Sequence, residues 1–190
     1  MDTRLNEWRK LNFVNPTTVL PKLRIIQLQV ANSILPDRVK NLRTPQLKQH
    51  REGWEAALFC YGQAKLQGVP VYVVPYESSD YDAVAMWIKD DTQHFAPIQI
   101  KEVVPEELNP NTDINKEIAK LNRYPVSNDT AVVIHVNRQM RLDLSLIKVS
   151  KLNIASLWLL GANAPDQSKW FVAGDLLNSP QIIVFDYPCA

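Results

Sequence analysis

The chain predicts an α/β protein with a central mixed β-sheet flanked by helices. Three observations carry that expectation. A long helical segment starts near Thr44-Pro45 and stops at Gly68. Three strand-like runs, 69–75, 81–88 and 96–104, follow with short polar links. A helical segment at 111–122 then precedes a β-branched run at 130–136. The order is therefore helix, three strands, helix, strand, with extra strands toward the C-terminus.

Each element has a local cause. Residues 1–16 are polar and are expected to be loosely ordered, with Trp8, Leu11 and Phe13 able to dock. Residues 18–35 predict a helix, because Leu23, Ile26, Val30 and Ile34 recur at helical spacing and Pro21 suits a first turn. Pro36-Asp37 ends it, and 37–44 reads as a polar connector. Thr44 can cap the next helix, Pro45 fits its first position, and Gly68 fits the left-handed residue past its end. The links ESSD and KDDTQ are too short for anything but an antiparallel meander of the first three strands. The third helix carries acids early and bases late, as the helix dipole prefers. Four apolar segments, 142–149, 154–160, 169–173 and 181–186, close the chain, and at least two should be strands.

Composition narrows the function classes. The 190 residues suffice for a sizeable core, and no apolar run approaches the roughly 20 residues that cross a bilayer. MDTRLNEWRK has no apolar core of a secretory signal, so a cytoplasmic protein without a membrane partner is expected. Cys60 and Cys189 are too few for a disulfide scaffold or a zinc cluster, and Cys60 sits in an apolar helical run as a core residue would. The near-neutral net charge of +1 hides an asymmetry. Residues 1–51 hold ten bases and three acids, about +7, and the remainder is about −6. A basic arm on an acidic body suits phosphate contact beside a cation-binding site. Arg43, Lys48 and Arg51 are the arm residues nearest that site in sequence. The other readings of these bases are a solvated basic helix, or an arm that contacts the acidic body or a second subunit, which would make a homodimer.

The candidate chemistry lies between Glu52 and Glu102. Glu52 and Glu55 are three apart and project from neighbouring positions of one helix face. Asp82 opens the second strand. Gln99 and Lys101 are two apart on the third strand and leave it on one face. Magnesium takes oxygen ligands and retains several waters, so one or two carboxylates suffice. Asp82 offers a carboxylate and Gln99 a neutral carbonyl oxygen. Glu55, or Glu52, can supply the missing charge, and Glu55 lies deeper along the helix. Lys101 can orient a water and stabilise charge that develops on a phosphate. Other roles exist for each: Asp82 as a turn cap, Gln99 and Lys101 as the solvent side of an edge strand. Glu102 points opposite to Lys101 and reads as structural. His135 alternates with Ile134 and Val136 and reads as a core or edge histidine. Arg138 can contact phosphate or simply be solvated.

The element order and these residues together resemble the PD-(D/E)XK nuclease superfamily over about 45–136. Asp82 stands where that family places its metal-binding aspartate. Gln99-Ile100-Lys101 stands in place of its acid-x-Lys pair as a Gln variant, and Glu52 or Glu55 matches its helix acid. The resemblance implies a restriction endonuclease-like core from 45 to 190 behind a basic extension, 1–44, with one helix. It implies a magnesium-dependent endonuclease, with manganese as a substitute ion, acting on nucleic acid, chiefly DNA. Asp82, Gln99 and Glu55 would be metal ligands, and these three with Lys101 the catalytic set. A nuclease-like module that binds nucleic acid without cutting it is the alternative, because Gln99 replaces a carboxylate.

Overall fold

The computed structural model describes residues 3–122, 128–149 and 152–188. The protein is α/β, with seven strands hydrogen-bonded in sequence order, β1 to β7, in a mixed sheet. The strands are β1 (Val71–Pro75), β2 (Ala83–Lys89), β3 (Thr92–Val103), β4 (Ala131–Val136), β5 (Ser156–Ala162), β6 (Lys169–Gly174) and β7 (Gln181–Asp186). The helices are α1 (Thr3–Trp8), α2 (Pro16–Ala31), α3 (Asp37–Lys40), α4 (Lys48–Gln67) and α5 (Ile114–Leu121). No helix among the described residues is long and apolar enough to cross a membrane. Two compact units divide the chain: residues 1–98 with 187–190, and residues 99–186.

The first unit is ordered by α4. A turn of 3-10 helix, Pro45–Leu47, leads into it, and Gly68 ends it with φ 70°, the left-handed geometry that glycine adopts without cost. Every residue from Glu52 to Gln63 is buried, so α4 is enclosed on all sides rather than on one. It lies so close to β1 that a Cβ at Gly53 would stand 3.0 Å from Pro75 Cγ. The strands β1, β2 and β3 form the expected antiparallel meander, with Pro75 opposite Ala83 and Ala83 opposite Ile98. Asp90 and Asp91 both take positive φ, the geometry of a tight two-residue hairpin whose twist matches the strands. Cys60 is fully buried in α4, as its apolar neighbours imply, and burial pushes its thiol up. Cys189 lies outside the described residues.

The N-terminal residues differ from the sequence expectation. Thr3–Trp8 is helical, and Trp8 is buried with its indole N–H donating to Tyr81 Oη at 3.2 Å. Leu5, Leu11 and Phe13 join Val74, Val84 and Phe95 in the same cluster, so long-range burial orders a segment that is polar on average. The helix α2 starts two residues earlier than its spacing predicts, because Asn15 Oδ1 accepts from Thr17 N at 2.9 Å and Pro16 takes the first position. It stops at Ala31 rather than Leu35, and Ile26 and Ile34 are exposed. The polar connector contains one helical turn, α3. Near the C-terminus Tyr187 closes the unit: its hydroxyl donates to Leu20 O at 2.9 Å and accepts from Trp54 Nε1 at 3.3 Å.

The second unit is built on β4 to β7 and the end of β3. The strand β4 is buried at every position, so its β-branched run serves both faces of an interior strand. It pairs in parallel with β5, while β5–β6 and β6–β7 are antiparallel. Asp113 caps α5 by accepting from Lys116 N at 2.8 Å, and Ile114, Ile118 and Leu121 face a core that includes Val103, Val132, Ile134, Leu157 and Leu159. Three of the four apolar segments toward the C-terminus are strands. The fourth, 142–149, is not. Asp143 accepts from Ser145 N and turns the chain into a short 3-10 helix, while Leu142, Leu144, Ile147 and Val149 still pack on the core.

Candidate functional site

In the first unit, Glu52 and Glu55 lie on successive turns of α4, and both are buried, Glu55 to 1% exposure. Two bases on the preceding turn reach them. Lys48 Nζ stands 3.1 Å from Glu52 Oε1, and Arg51 Nε stands 3.8 Å from Glu55 Oε1. Both pairs follow from i,i+4 spacing on a helix. Asp82 is the residue that enters β2. Its N–H donates to Ile98 O at 2.8 Å, and its C=O accepts from Tyr76 N at 3.0 Å, closing the 76–81 turn. That turn carries Asp82 into electrostatic reach of the N-terminal part of α4.

The resulting field is legible in the titration of two groups. Burial holds the Glu52 carboxyl above the usual carboxylate range, and the negative charge of Asp82 adds to that effect. Lys48 opposes both through its hydrogen bond and charge, while Glu55 pushes in the same direction as Asp82. Lys48 is itself held above the ordinary lysine value, first by its hydrogen bond to Glu52 and then by the charges of Glu52, Asp82 and Glu77, against partial burial. Three carboxylates therefore share one neighbourhood, with Lys48 as a cation among them. Glu52, Glu55 and Asp82 are an all-oxygen donor set, the kind that magnesium takes. The fit has one condition: the Lys48 ammonium shares the Glu52 carboxylate, and a divalent ion there must compete with it.

The remaining predicted residues fall as follows. Gln99 directly follows Ile98, the residue hydrogen-bonded to Asp82. Along β3, Ile98 and Ile100 are buried, whereas Gln99 and Lys101 are half-buried on the opposite face of the strand. The strand β3 is third of seven in the sheet, so they do not lie on an edge strand. Of the three bases expected at phosphate, Lys48 and Arg51 are engaged with the helix acids, and Arg43 precedes α4 in the chain. Arg138 is half-buried. Its guanidinium donates to the carbonyls of Val104, Asn109 and Thr112 and so braces the 104–112 loop.

Two residues of the second unit form a pair that reading the sequence did not join. A Glu102 carboxylate oxygen and a His135 ring nitrogen lie within 4.8 Å of one another. Asn137 Nδ2 donates to Glu102 Oε1 at 2.7 Å, and its N–H donates to Val103 O at 3.0 Å. His135 is 3% exposed, and its ring is tilted against Trp170 with centroids 5.7 Å apart. The sequence signal was present in part. Glu102 alternates away from Lys101 and His135 points into a buried strand, but only strand pairing brings the two together.

No family model, no curated protein and no solved structure matches this chain.

Proposed function

We propose that the chain is a divalent-metal-dependent nuclease that hydrolyses phosphodiester bonds, with DNA as its main substrate. The observation that carries this reading is the meeting of Glu52, Glu55 and Asp82, a helix pair and a strand-entry acid, in one partly buried field. Burial together with mutual repulsion of carboxylates is costly unless a cation repays it. Magnesium, or manganese in its place, would reduce the repulsion between a phosphodiester and an attacking hydroxide and would activate that water. Asp82 and the α4 acids hold the cation in this reading. Gln99 offers a neutral oxygen, and Lys101 offers the positive charge that steadies the phosphate; both roles come from the resemblance to PD-(D/E)XK nucleases. Lys48 holds the Glu52 carboxylate until the cation replaces it.

The test is cleavage of plasmid and linear DNA by the purified chain with magnesium or manganese. The expected result is metal-dependent cutting that Asp82→Ala and Lys101→Ala each reduce by about a hundredfold or more, with the fold retained. DNA binding at low salt should survive both substitutions and weaken steeply as salt rises. A protein that binds DNA but never cuts with either ion is a nuclease-like binding module, in which Gln99 has cost the site its turnover. One that neither binds nor cuts refutes the reading.

A further inference from the structure

We infer that α2 and the turn after it form a docking surface for an anionic lipid bilayer, on which the protein lies without spanning it. The inner side of α2 is anchored in the first unit. Leu20 is fully buried, and its carbonyl accepts from the Tyr187 hydroxyl at 2.9 Å. The outer side is apolar. Ile25, Ile26 and Leu28 are 50%, 53% and 50% exposed, and Ile25 and Leu28, three apart, are neighbours on the helix surface. A hydrogen-bonded turn then presents two more aliphatic residues. The Ser33 hydroxyl donates to Val30 O at 2.6 Å and accepts from Leu35 N at 3.3 Å; Ile34 between them is fully exposed, and Leu35 is exposed too. Charge complementarity names the occupant. Residues 16–43 hold five bases, Lys22, Arg24, Arg38, Lys40 and Arg43, against one acid, Asp37. Lys22 precedes Ile25 by three on the same side of α2, and Arg38 and Lys40 belong to α3, which contacts α2. An anionic bilayer satisfies both features. Its acyl boundary takes the aliphatic side chains, and its anionic headgroups take the bases. A nucleic-acid backbone would meet the bases alone. A two-fold contact with a second copy would cover the aliphatic residues but bring like charges together. The inference does not depend on nuclease activity.

Co-sedimentation of the full chain with phosphatidylcholine vesicles, with and without phosphatidylserine, tests it. The expected result is binding to the mixed vesicles that falls as salt rises, and little binding to phosphatidylcholine alone. Ile34→Ser should lower the partition coefficient about tenfold, the loss of one buried aliphatic side chain. Lys22→Gln/Arg38→Gln should lower it about twenty-fivefold, about fivefold for each base. All three side chains are exposed, so thermal denaturation should show the fold intact in both variants. Wild-type protein that does not sediment with the mixed vesicles overturns the inference. So does vesicle binding that Ile34→Ser leaves unchanged, which would make the contact purely electrostatic. A dimer that Ile25→Ser/Leu28→Ser dissociates, in protein that ignores vesicles, overturns it in favour of a second copy. DNA binding that Ile34→Ser weakens, without vesicle binding, overturns it in favour of nucleic acid.

Discussion

Replacing Lys48 by Met removes an ammonium that stands among the α4 and β2 acids while keeping its hydrocarbon stem. The Lys48–Glu52 pair is 3.1 Å long, with side chains 53% and 9% exposed. A helix i,i+4 pair with one end in water contributes about 0.3–0.5 kcal/mol after screening. The rest of the effect belongs to Glu52, which keeps its buried carboxylate beside Asp82 and loses its partner. Breaking a pair costs several kcal/mol only when both ends are buried, which Lys48 is not, so the total is about 1 kcal/mol. For a chain of this length that lowers Tm by about 2–4 °C. The sign in pH follows from both partners. Lys48 is raised above 10.5, so its contribution is present below that value and is lost as pH rises through the raised one. On the acid side the pair disappears as Glu52 takes up a proton. The deficit of the variant should therefore be a plateau around neutral pH that closes at both ends. Magnesium should stabilise the variant more than the wild type, because the ion no longer competes with an ammonium; binding at a hundred times Kd adds about 2.7 kcal/mol. Thermal denaturation across pH, with and without magnesium, reads both effects. Equal Tm at every pH together with an equal response to magnesium would refute the reasoning.

Three further substitutions extend the account. Glu52→Gln removes a carboxyl held above its usual range by burial and by Asp82, a group whose ionisation opposes folding as pH rises. The Tm advantage of the variant should therefore grow from acid to neutral pH, and an advantage confined to acid pH would contradict the assigned direction. Tyr187→Phe removes the hydroxyl that joins Leu20 O to Trp54 Nε1, and should cost about 1–2 kcal/mol in chemical denaturation; an unchanged midpoint would mean that this closure contributes nothing. Gly161→Ala places a Cβ 2.6 Å from Phe171 Cε1 and 3.3 Å from Val136 O, so overpacking should cost about 1–3 kcal/mol, read as a lower denaturation midpoint. A neutral or stabilising result there would mean that the Phe171 ring moves aside freely.

Local signals were readable in the sequence wherever the cause is local. Gly68 and the β-branched run at 131–136 act through their own backbone, and the structure ends α4 and places β4 there. Pro45 opens a 3-10 turn that leads into α4 at Lys48, without a Thr44 side-chain cap, and β3 starts at Thr92, four residues before the expected 96. The α/β class and the meander of β1 to β3 followed from these. The errors occurred where distant residues decide. The segment at 3–8 is helical because Trp8 meets Tyr81, 73 residues away, and average polarity conceals that contact. Ile26 and Ile34 have helical spacing, yet both are exposed, so periodicity indicated a face without showing whether anything covers it. The 142–149 segment has a local cause instead. Asp143 accepts from Ser145 N and makes a short 3-10 helix whose flanking apolar residues still pack on the core. The other three C-terminal segments are strands, in line with the expectation of at least two. At the candidate site, the acids of α4 and Asp82 could be named from order and spacing. Lys48 and Arg51 reach those acids through i,i+4 spacing that the sequence displays, whereas the meeting of Glu102 and His135 depends on strand pairing that no local pattern encodes.

The most direct measurement for the central claim is calorimetric titration of magnesium and manganese into the wild type, Asp82→Asn and a Glu52→Gln/Glu55→Gln double variant. If the acids of α4 and Asp82 hold the cation, the wild type binds magnesium saturably, and Asp82→Asn and the double variant each lose at least tenfold in affinity. Wild-type protein that takes up no magnesium, or binding that neither variant weakens, would contradict the account.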